Sequence, residues 1–296
     1  MFKGLCAFPL TPMDESATDD RAYLQLLGRL VNANVDSICV LGSTGNYAYL
    51  PGKERARLVK LATETAGSIP VMTSIGALRT LDVLHAADDA QKAGARALLL
   101  APVSYQKLTE EEVYSLYKTV AQSVSVPLCV YENPGTTHFH FSDELLIRIA
   151  QLPATGSVKL AGGYPDKESY LSRIKKLRSI LPERVSLGIS GDAFAAAALR
   201  AGCDTWYSVI GGLFPQTAMR ITRQALDRDS DDADSLSLAL EPLWALFRQY
   251  GSLRVMATAA SILGLTQKTS LPLPLTMPGE ETMQRISRIL RPMNLA

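Results

Sequence analysis

Eight short apolar segments recur along the chain, and a helical pattern separates each from the next. They lie within residues 2–12, 30–42, 68–76, 90–102, 125–134, 154–163, 183–191 and 199–212. Their apolar residues run on without strict alternation, as in parallel strands that are covered on both faces. Eight strands alternating with helices favour a closed (β/α)8 barrel, the TIM barrel of the α/β class, over an open doubly wound sheet.

The eighth segment ends near Gly211 and leaves about 85 residues, whose patterns are helical. We therefore predict a barrel over residues 1–225 and a C-terminal helical extension, residues 226–296, packed on it. The polar stretch 227–237 predicts a solvated turn between helices. No G-x-G-x-x-G motif follows the first strand, which disfavours a dinucleotide-binding domain.

Composition narrows the environment and the partners. The formal net charge of +1 gives no electrostatic reason to bind nucleic acid or an anionic membrane. No apolar run approaches the roughly 18 residues of a spanning helix, and the first residues lack a signal-peptide pattern. The four cysteines sit in apolar runs without a CxxC pair, so we expect buried free thiols, a reducing compartment and hence a cytoplasmic protein.

Lys159 is the residue that the barrel makes hardest to explain. It stands between Val158 and Leu160 in the sixth strand, followed by Gly162 and Gly163. Lysine is rarely buried without a partner, and desolvation lowers the pKa of an ammonium group. Because barrel active sites lie at the carboxyl ends of strands, we expect Lys159 to be an amine nucleophile that forms a Schiff base with a carbonyl.

Two neighbouring strand ends supply matching groups. Tyr131 ends the fifth strand, and its phenol can both donate and accept a proton. The turn after the second strand reads GSTGN, with Ser43, Thr44 and Gly45 at its centre. Such a turn can present hydroxyl and backbone N–H groups to a carboxylate. The sequence therefore predicts a proton shuttle and an anion site beside the lysine.

The GSTG turn, the YENP segment and the apolar-Lys-apolar strand together resemble the pyruvate-dependent class I aldolase superfamily. This superfamily includes dihydrodipicolinate synthase and N-acetylneuraminate lyase, and the resemblance extends from FPLTPMDE through ISGDA to the helical tail. It implies that Lys159 forms a Schiff base with pyruvate or another 2-oxo acid, without a separate cofactor. It also implies that Tyr131 relays protons and that Ser43 and Thr44 hold the carboxylate.

Further roles rest on the same resemblance. Gly191 and Ser208 occupy positions that line the pyruvate pocket. Tyr105 resembles the tyrosine that completes the proton relay across a dimer interface, although its loop, PVSYQKLT, is one residue longer than usual. The resemblance also implies a homotetramer built as a dimer of dimers, with a small-molecule substrate.

The other half of the site departs from the pattern. Thr136 stands where dihydrodipicolinate synthase has an arginine for the carboxylate of its aldehyde substrate, and a hydroxyl cannot form that charge-assisted pair. Asn46 and Leu160 replace two glutamates, and Ala161 and Ala193 fall where N-acetylneuraminate lyase has polar residues. We therefore expect an aldolase or dehydratase acting on pyruvate or a 2-oxo acid. A true 4-hydroxy-tetrahydrodipicolinate synthase, which condenses pyruvate with aspartate semialdehyde, is the alternative.

Two other classes of function stay open. His138 and His140 form an HxH motif that, with a carboxylate from Asp192 or Glu132, could ligate zinc in a barrel hydrolase. A barrel that binds 2-oxo acids without turning them over is the second possibility.

Overall fold

The eight strands close into a parallel barrel in sequence order, β1 to β8, with β8 paired to β1. The computed structural model describes residues 1–163, 166–227 and 232–293. The strands are β1 (Gly4–Ala7), β2 (Ser37–Val40), β3 (Val71–Ser74), β4 (Ala97–Leu100), β5 (Leu128–Glu132), β6 (Thr155–Ala161), β7 (Ser186–Ser190) and β8 (Thr205–Ser208). The (β/α)8 barrel is confirmed, and each strand falls within its predicted segment.

Helices on the outside connect successive strands. They are α1 (Asp20–Asn32), α2 (Gly52–Ala66), α3 (Thr80–Lys92), α4 (Glu110–Ala121), α5 (Pro134–Thr137), α6 (Asp143–Ala150), α7 (Lys167–Ile180), α8 (Ala195–Arg200) and α9 (Pro215–Leu226). Short 3-10 helices follow three of the strands, at Tyr47–Tyr49, Asp192–Phe194 and Ile210–Gly212. These turns place backbone and side chains at the carboxyl ends of β2, β7 and β8.

The C-terminal part of the chain is helical, as the sequence predicts. It contains α10 (Asp232–Ala239), α11 (Glu241–Tyr250), α12 (Ser252–Ile262), α13 (Glu280–Leu290) and a final 3-10 turn (Arg291–Met293). The predicted polar turn 227–237 is wrong in its second half, where α10 forms, and residues 228–231 lie outside the described residues. The boundary at 225/226 stays a prediction. In the described ranges, no helix is long and apolar enough to cross a membrane.

Strand side chains pack on both faces of the barrel wall. One face joins the surrounding helices in the large apolar core, as with Ile38, Leu98 and Val130. The other faces the barrel interior, where a second apolar cluster contains Phe8, Cys39, Met72, Leu99, Cys129, Tyr131 and Tyr207. Burial on both faces explains why the strand sequences do not alternate. The four cysteines are free and buried, as predicted.

Candidate active site

Lys159 lies inside the upper end of the barrel, paired with Tyr131 of β5 on one side and Gly188 of β7 on the other. Only 3% of the residue is exposed. Its Nζ stands 4.1 Å from the centre of the Tyr131 ring and 5.3 Å from that of Phe8. No ion pair to Lys159 occurs within the described ranges. Two aromatic faces therefore surround this ammonium group in place of a carboxylate.

The packing of the barrel interior next to Lys159 depends on glycine at position 188, which has no side chain. A Cβ atom on Gly188 would stand 2.3 Å from the Tyr207 ring, which fills that space instead. The Tyr207 hydroxyl lies 2.5 Å from the Ser157 hydroxyl, so this buried phenol is hydrogen-bonded. Glycine at position 188 thus lets a large aromatic ring close the barrel below Lys159.

Tyr131 is buried beside Lys159, and its environment changes its acidity. Burial opposes ionisation of the phenol and is the largest single influence on its pKa. The Lys159 charge, the neighbouring hydroxyls of Ser43 and Thr136 and the Asn133 amide all act the other way. Asn133 Nδ2 donates to the phenol oxygen over 3.2 Å. Together they outweigh burial and lower the pKa of Tyr131 below its ordinary value of 10.0.

The GSTGN turn after β2 is tightly folded. A Cβ on Gly45 would stand 2.8 Å from the backbone N and Cα of Leu41, so the turn has room only for glycine there. Asn46 adopts a left-handed conformation with φ 57°. Ser43 is exposed, whereas Thr44 is buried and its hydroxyl has no hydrogen-bond partner among the described residues. The turn thus holds one free hydroxyl at the strand end.

A cavity of about 330 Å³ opens at this end of the barrel, and we call it the mouth cavity. Its wall is formed by Ser43, Asn46, Tyr47, Ala48, Tyr49, Ser74, Ala101, Val103, Ser104, Tyr131, Thr136, Thr137, His138, Leu253 and Leu275. Of the predicted site residues, Ser43, Tyr131 and Thr136 line this cavity. Lys159 lies next to it, through its contact with the Tyr131 ring.

The predicted residues on β7 and β8 lie outside the lining of the mouth cavity. Ser208 ends β8 and is buried, and its Oγ accepts a hydrogen bond from the Gly211 N–H over 2.9 Å. Gly191 follows β7 with φ 112°, a conformation that favours glycine. Both therefore shape backbone turns at the same end of the barrel.

Asp192 joins those two turns. Its carboxylate accepts hydrogen bonds from Trp206 Nε1 (2.9 Å) and from the N–H groups of Val209 (3.1 Å) and Ile210 (2.8 Å). Burial raises the pKa of Asp192 to about 6, although these donors favour the charged form. This side chain fixes the loop after β8 against the loop after β7.

Tyr105 lies apart from these residues. It is 91% exposed and is not among the residues that line the mouth cavity. Within a single chain, the structure does not bring Tyr105 to Tyr131 or Lys159.

Comparison with known proteins connects this geometry to a family. The model of the dihydrodipicolinate synthetase family matches residues 1–293. This chain belongs to that family. A solved structure described as dihydrodipicolinate synthase from Agrobacterium tumefaciens is 43% identical, with a TM-score of 0.94 over 99% of this chain and 98% of that one.

More distant members of the family also match this chain along almost its whole length. The 4-hydroxy-tetrahydrodipicolinate synthase of Methylococcus capsulatus is 30% identical over 98% of both chains. A dihydrodipicolinate synthase of Acinetobacter baumannii, solved in complex with pyruvate, is 25% identical, with a TM-score of 0.92 over the whole of both chains. Members of the dihydrodipicolinate synthetase family are lyases of the class I aldolase type, which act through a Schiff base, and this protein is one of them.

Several cavity residues were missed by sequence reasoning. Tyr47 follows β2, and a search of strand ends that extended a few residues further would have found it. His138, which the sequence offered only as a candidate zinc ligand, also lines the cavity. Leu253 and Leu275 come from the C-terminal helical part. No local pattern in the sequence signals that they reach the barrel mouth.

The carboxylates that the zinc alternative requires are already engaged. Glu132 is buried, and it accepts a hydrogen bond from the Ala161 N–H over 3.0 Å and pairs with Arg173 at 3.4 Å. Asp192 is held by its three donors. Across the part of the chain that the structure describes, no three His, Cys, Asp or Glu side chains are grouped to hold a metal ion. The family assignment replaces the hydrolase hypothesis.

Proposed function

We propose that this family member is a lyase in which Lys159 forms a Schiff base with pyruvate or another 2-oxo acid. The unprotonated amine forms a bond to C2, and the carbonyl oxygen leaves as water. The resulting iminium draws electrons from C3, so that a bond to C3 can form or break. The lysine imine supplies the electron sink, and the reaction uses no further cofactor.

One observation carries this proposal: a lysine in the barrel interior whose Nζ stands 4.1 Å from the ring centre of a tyrosine with a lowered pKa. A phenol that ionises more readily is better matched to take a proton from C3 and return it. We assign this shuttle to Tyr131. Thr44 and Ser43 hold the substrate carboxylate through their hydroxyls, and the unpaired Thr44 hydroxyl supports that role. Gly45 closes the turn, and its N–H donates to the Gly42 carbonyl over 3.0 Å. Gly191 and Ser208 shape the opposite side of the pocket.

Exchange of the methyl protons of pyruvate in heavy water tests this assignment, because exchange requires both the imine and a base. We expect the protein to exchange these protons and Lys159→Met to lose the activity. Exchange at the wild-type rate by Lys159→Met would contradict the proposal. Catalytic exchange by the wild-type protein would also disprove a barrel that only binds 2-oxo acids.

The second candidate is a 4-hydroxy-tetrahydrodipicolinate synthase, which the names of the relatives favour. Thr136 argues against it, since it lines the mouth cavity with a hydroxyl where the synthase pattern has an arginine. If this position alone withholds the activity, Thr136→Arg gains condensation of pyruvate with aspartate semialdehyde. Condensation by the unaltered protein would establish the synthase function.

We also propose that the protein works in the cytoplasm as a dimer of dimers, with Tyr105 reaching a neighbouring subunit's site. The four buried free thiols support a reducing compartment. The exposure of Tyr105 supports a partner, because large aromatic side chains are enriched at interfaces.

A further inference from the structure

We propose that the mouth cavity receives 2-oxo acids whose tail is uncharged and largely apolar, an inference that rests on the proposed Schiff-base function. With the keto carbon at Lys159 and the acid group at the GSTGN turn, the rest of the substrate extends past Tyr131 into this cavity. The chemistry of the cavity wall therefore selects the tail.

The wall is mostly apolar. Five aliphatic side chains and three tyrosine rings line it, namely Ala48, Ala101, Val103, Leu253, Leu275, Tyr47, Tyr49 and Tyr131. No Asp, Glu, Lys or Arg is among the described residues that line the cavity. Burial raises the pKa of Tyr47 to about 12, so its phenol stays neutral at physiological pH. A tail that enters this space exchanges water for hydrocarbon and aromatic surface.

Two hydroxyls of the wall are bound to the backbone of their own loops, whereas the buried Asn46 amide has no hydrogen-bond partner among the described residues. Ser104 Oγ donates to the Gln106 carbonyl over 2.5 Å, and Thr137 Oγ1 donates to the Asn133 carbonyl over 3.0 Å. A tail carboxylate beside Ser104 and Thr137 would lose its water without gaining these two donors, and the Asn46 amide is neutral, so it can hydrogen-bond a tail but not balance its charge. Burying an ionised group without such compensation is costly.

Apart from Lys159, the basic side chains near the cavity are also engaged or solvated. The Arg55 guanidinium donates to the carbonyls of Ser74 (2.8 Å) and Gly76 (3.2 Å) and lies over the Tyr47 ring at 5.2 Å. It stands behind the wall that Tyr47 forms. His138 is exposed at the rim, where charge pairs are weak because water screens them. No cation in the described wall is placed to pair with a buried tail carboxylate.

The volume limits the tail in length. At about 330 Å³ the cavity lies near the lower end of the roughly 300–1,000 Å³ range of small-molecule pockets. It suits a short branched or aromatic group rather than an extended chain.

Two 2-oxo acids of matched shape test the inference. 5-Methyl-2-oxohexanoate carries an isopropyl group where 2-oxoglutarate carries its terminal carboxylate. Each is incubated with the full-length protein and reduced with borohydride, and the acid concentration that modifies half of Lys159 is read from the intact mass. We expect half-modification by the isopropyl acid at a concentration at least tenfold lower. Equal or better trapping of 2-oxoglutarate would overturn the inference.

Pyruvate trapping, measured alongside, separates this inference from the proposed function. If pyruvate does not modify Lys159, the Schiff-base proposal fails and the tail inference falls with it. If pyruvate reacts and 2-oxoglutarate is preferred, only the tail inference fails.

A charge placed on the wall tests its role directly. Leu275→Arg should shift the preference at least tenfold toward 2-oxoglutarate, whereas Leu275→Gln, polar but uncharged, should keep the isopropyl acid ahead. Val103→Arg and Val103→Gln repeat the test from β4's side of the cavity if Leu275→Arg no longer traps pyruvate. An unchanged preference in the arginine variants that trap pyruvate would show that the tail does not meet this wall.

Discussion

Lys159 and Tyr131 form a pair in which each side chain alters the environment of the other. The ammonium lies over the phenol ring, and the phenol titrates below its ordinary pKa of 10.0 because the cation and three polar neighbours outweigh burial. This mutual influence of Lys159 and Tyr131 predicts the outcome of two single substitutions.

The first concerns the acidity of the phenol. Lys159→Met keeps the length of the side chain but removes its charge, so burial should dominate and the pKa of Tyr131 should rise. The tyrosinate absorbance of each protein, titrated against pH and compared with that of its Tyr131→Phe counterpart, isolates this residue. Lys107→Met, at an exposed lysine of the β4–α4 loop, is the control. If the pKa of Tyr131 is the same in the wild type and in Lys159→Met, the proposed coupling is wrong.

The second prediction separates proton transfer from binding. Tyr131→Phe removes the acid–base group but keeps the ring, so pyruvate should still be trapped on Lys159. Exchange of its methyl protons should fall by about 10²–10⁴-fold, the usual contribution of general acid–base catalysis. If Tyr131→Phe traps little pyruvate but exchanges methyl protons at the full rate for each pyruvate trapped, Tyr131 is not the proton shuttle.

At the scale of elements, local signals were predictable and contacts between distant elements were not. The strands follow from apolar runs, and the start of α4 follows from Thr109 and Glu112, which form a capping box. Lys159 was recognisable because a charged residue interrupts a buried strand. Leu275 reaches the mouth cavity through the docking of the C-terminal helical part, which depends on tertiary packing that no local pattern encodes.

The contacts of Asp192 were likewise not predictable from local sequence. Its position after β7 was predictable, but its hydrogen bonds to Trp206 and to the N–H groups after β8 depend on the packing of the two loops.

The folded-state pKa of Asp192, about 6, exceeds the ordinary 3.8, so the folded protein binds this proton more tightly than the unfolded chain does. Stability due to this group is therefore greatest below about pH 4 and is lost as the pH rises through about 6.

Asp192→Asn tests this sign. The free energy of unfolding of the wild type, minus that of the variant, should decrease by about 2 kcal/mol between about pH 4 and pH 6.5. Urea denaturation across this range measures the difference. Asp14→Asn is the control, because hydrogen bonds from Ser16 and Ala17 lower the pKa of Asp14, and its contribution is lost only as the pH falls further. A difference that does not change with pH would contradict the account of Asp192.

At the scale of the whole molecule, the barrel brings Lys159 and Tyr131 together and leaves Tyr105 exposed and outside the lining of the mouth cavity. A crossing Tyr105 would make the dimer necessary for full activity. Mixtures of Lys159→Met and Tyr105→Phe subunits, unfolded together and refolded, test the crossing. In a hybrid dimer, the Tyr105→Phe subunit keeps Lys159 and receives an intact Tyr105 from its partner.

Random pairing should thus return about a quarter of the wild-type activity per site, since half of the dimers are hybrid and one of their two sites is complete. Refolded single variants supply the baseline. If Tyr105→Phe is impaired alone and mixing restores nothing above the average of the two variants, Tyr105 does not act across the interface.

The proposed function depends above all on a covalent intermediate at Lys159. Borohydride reduction of the protein in the presence of pyruvate, followed by intact mass and peptide mapping, detects this intermediate and locates it. We expect a gain of one reduced pyruvyl group per chain, located on Lys159 and absent from Lys159→Met. An unmodified wild-type chain, or an adduct on another lysine that persists in the variant, would contradict it.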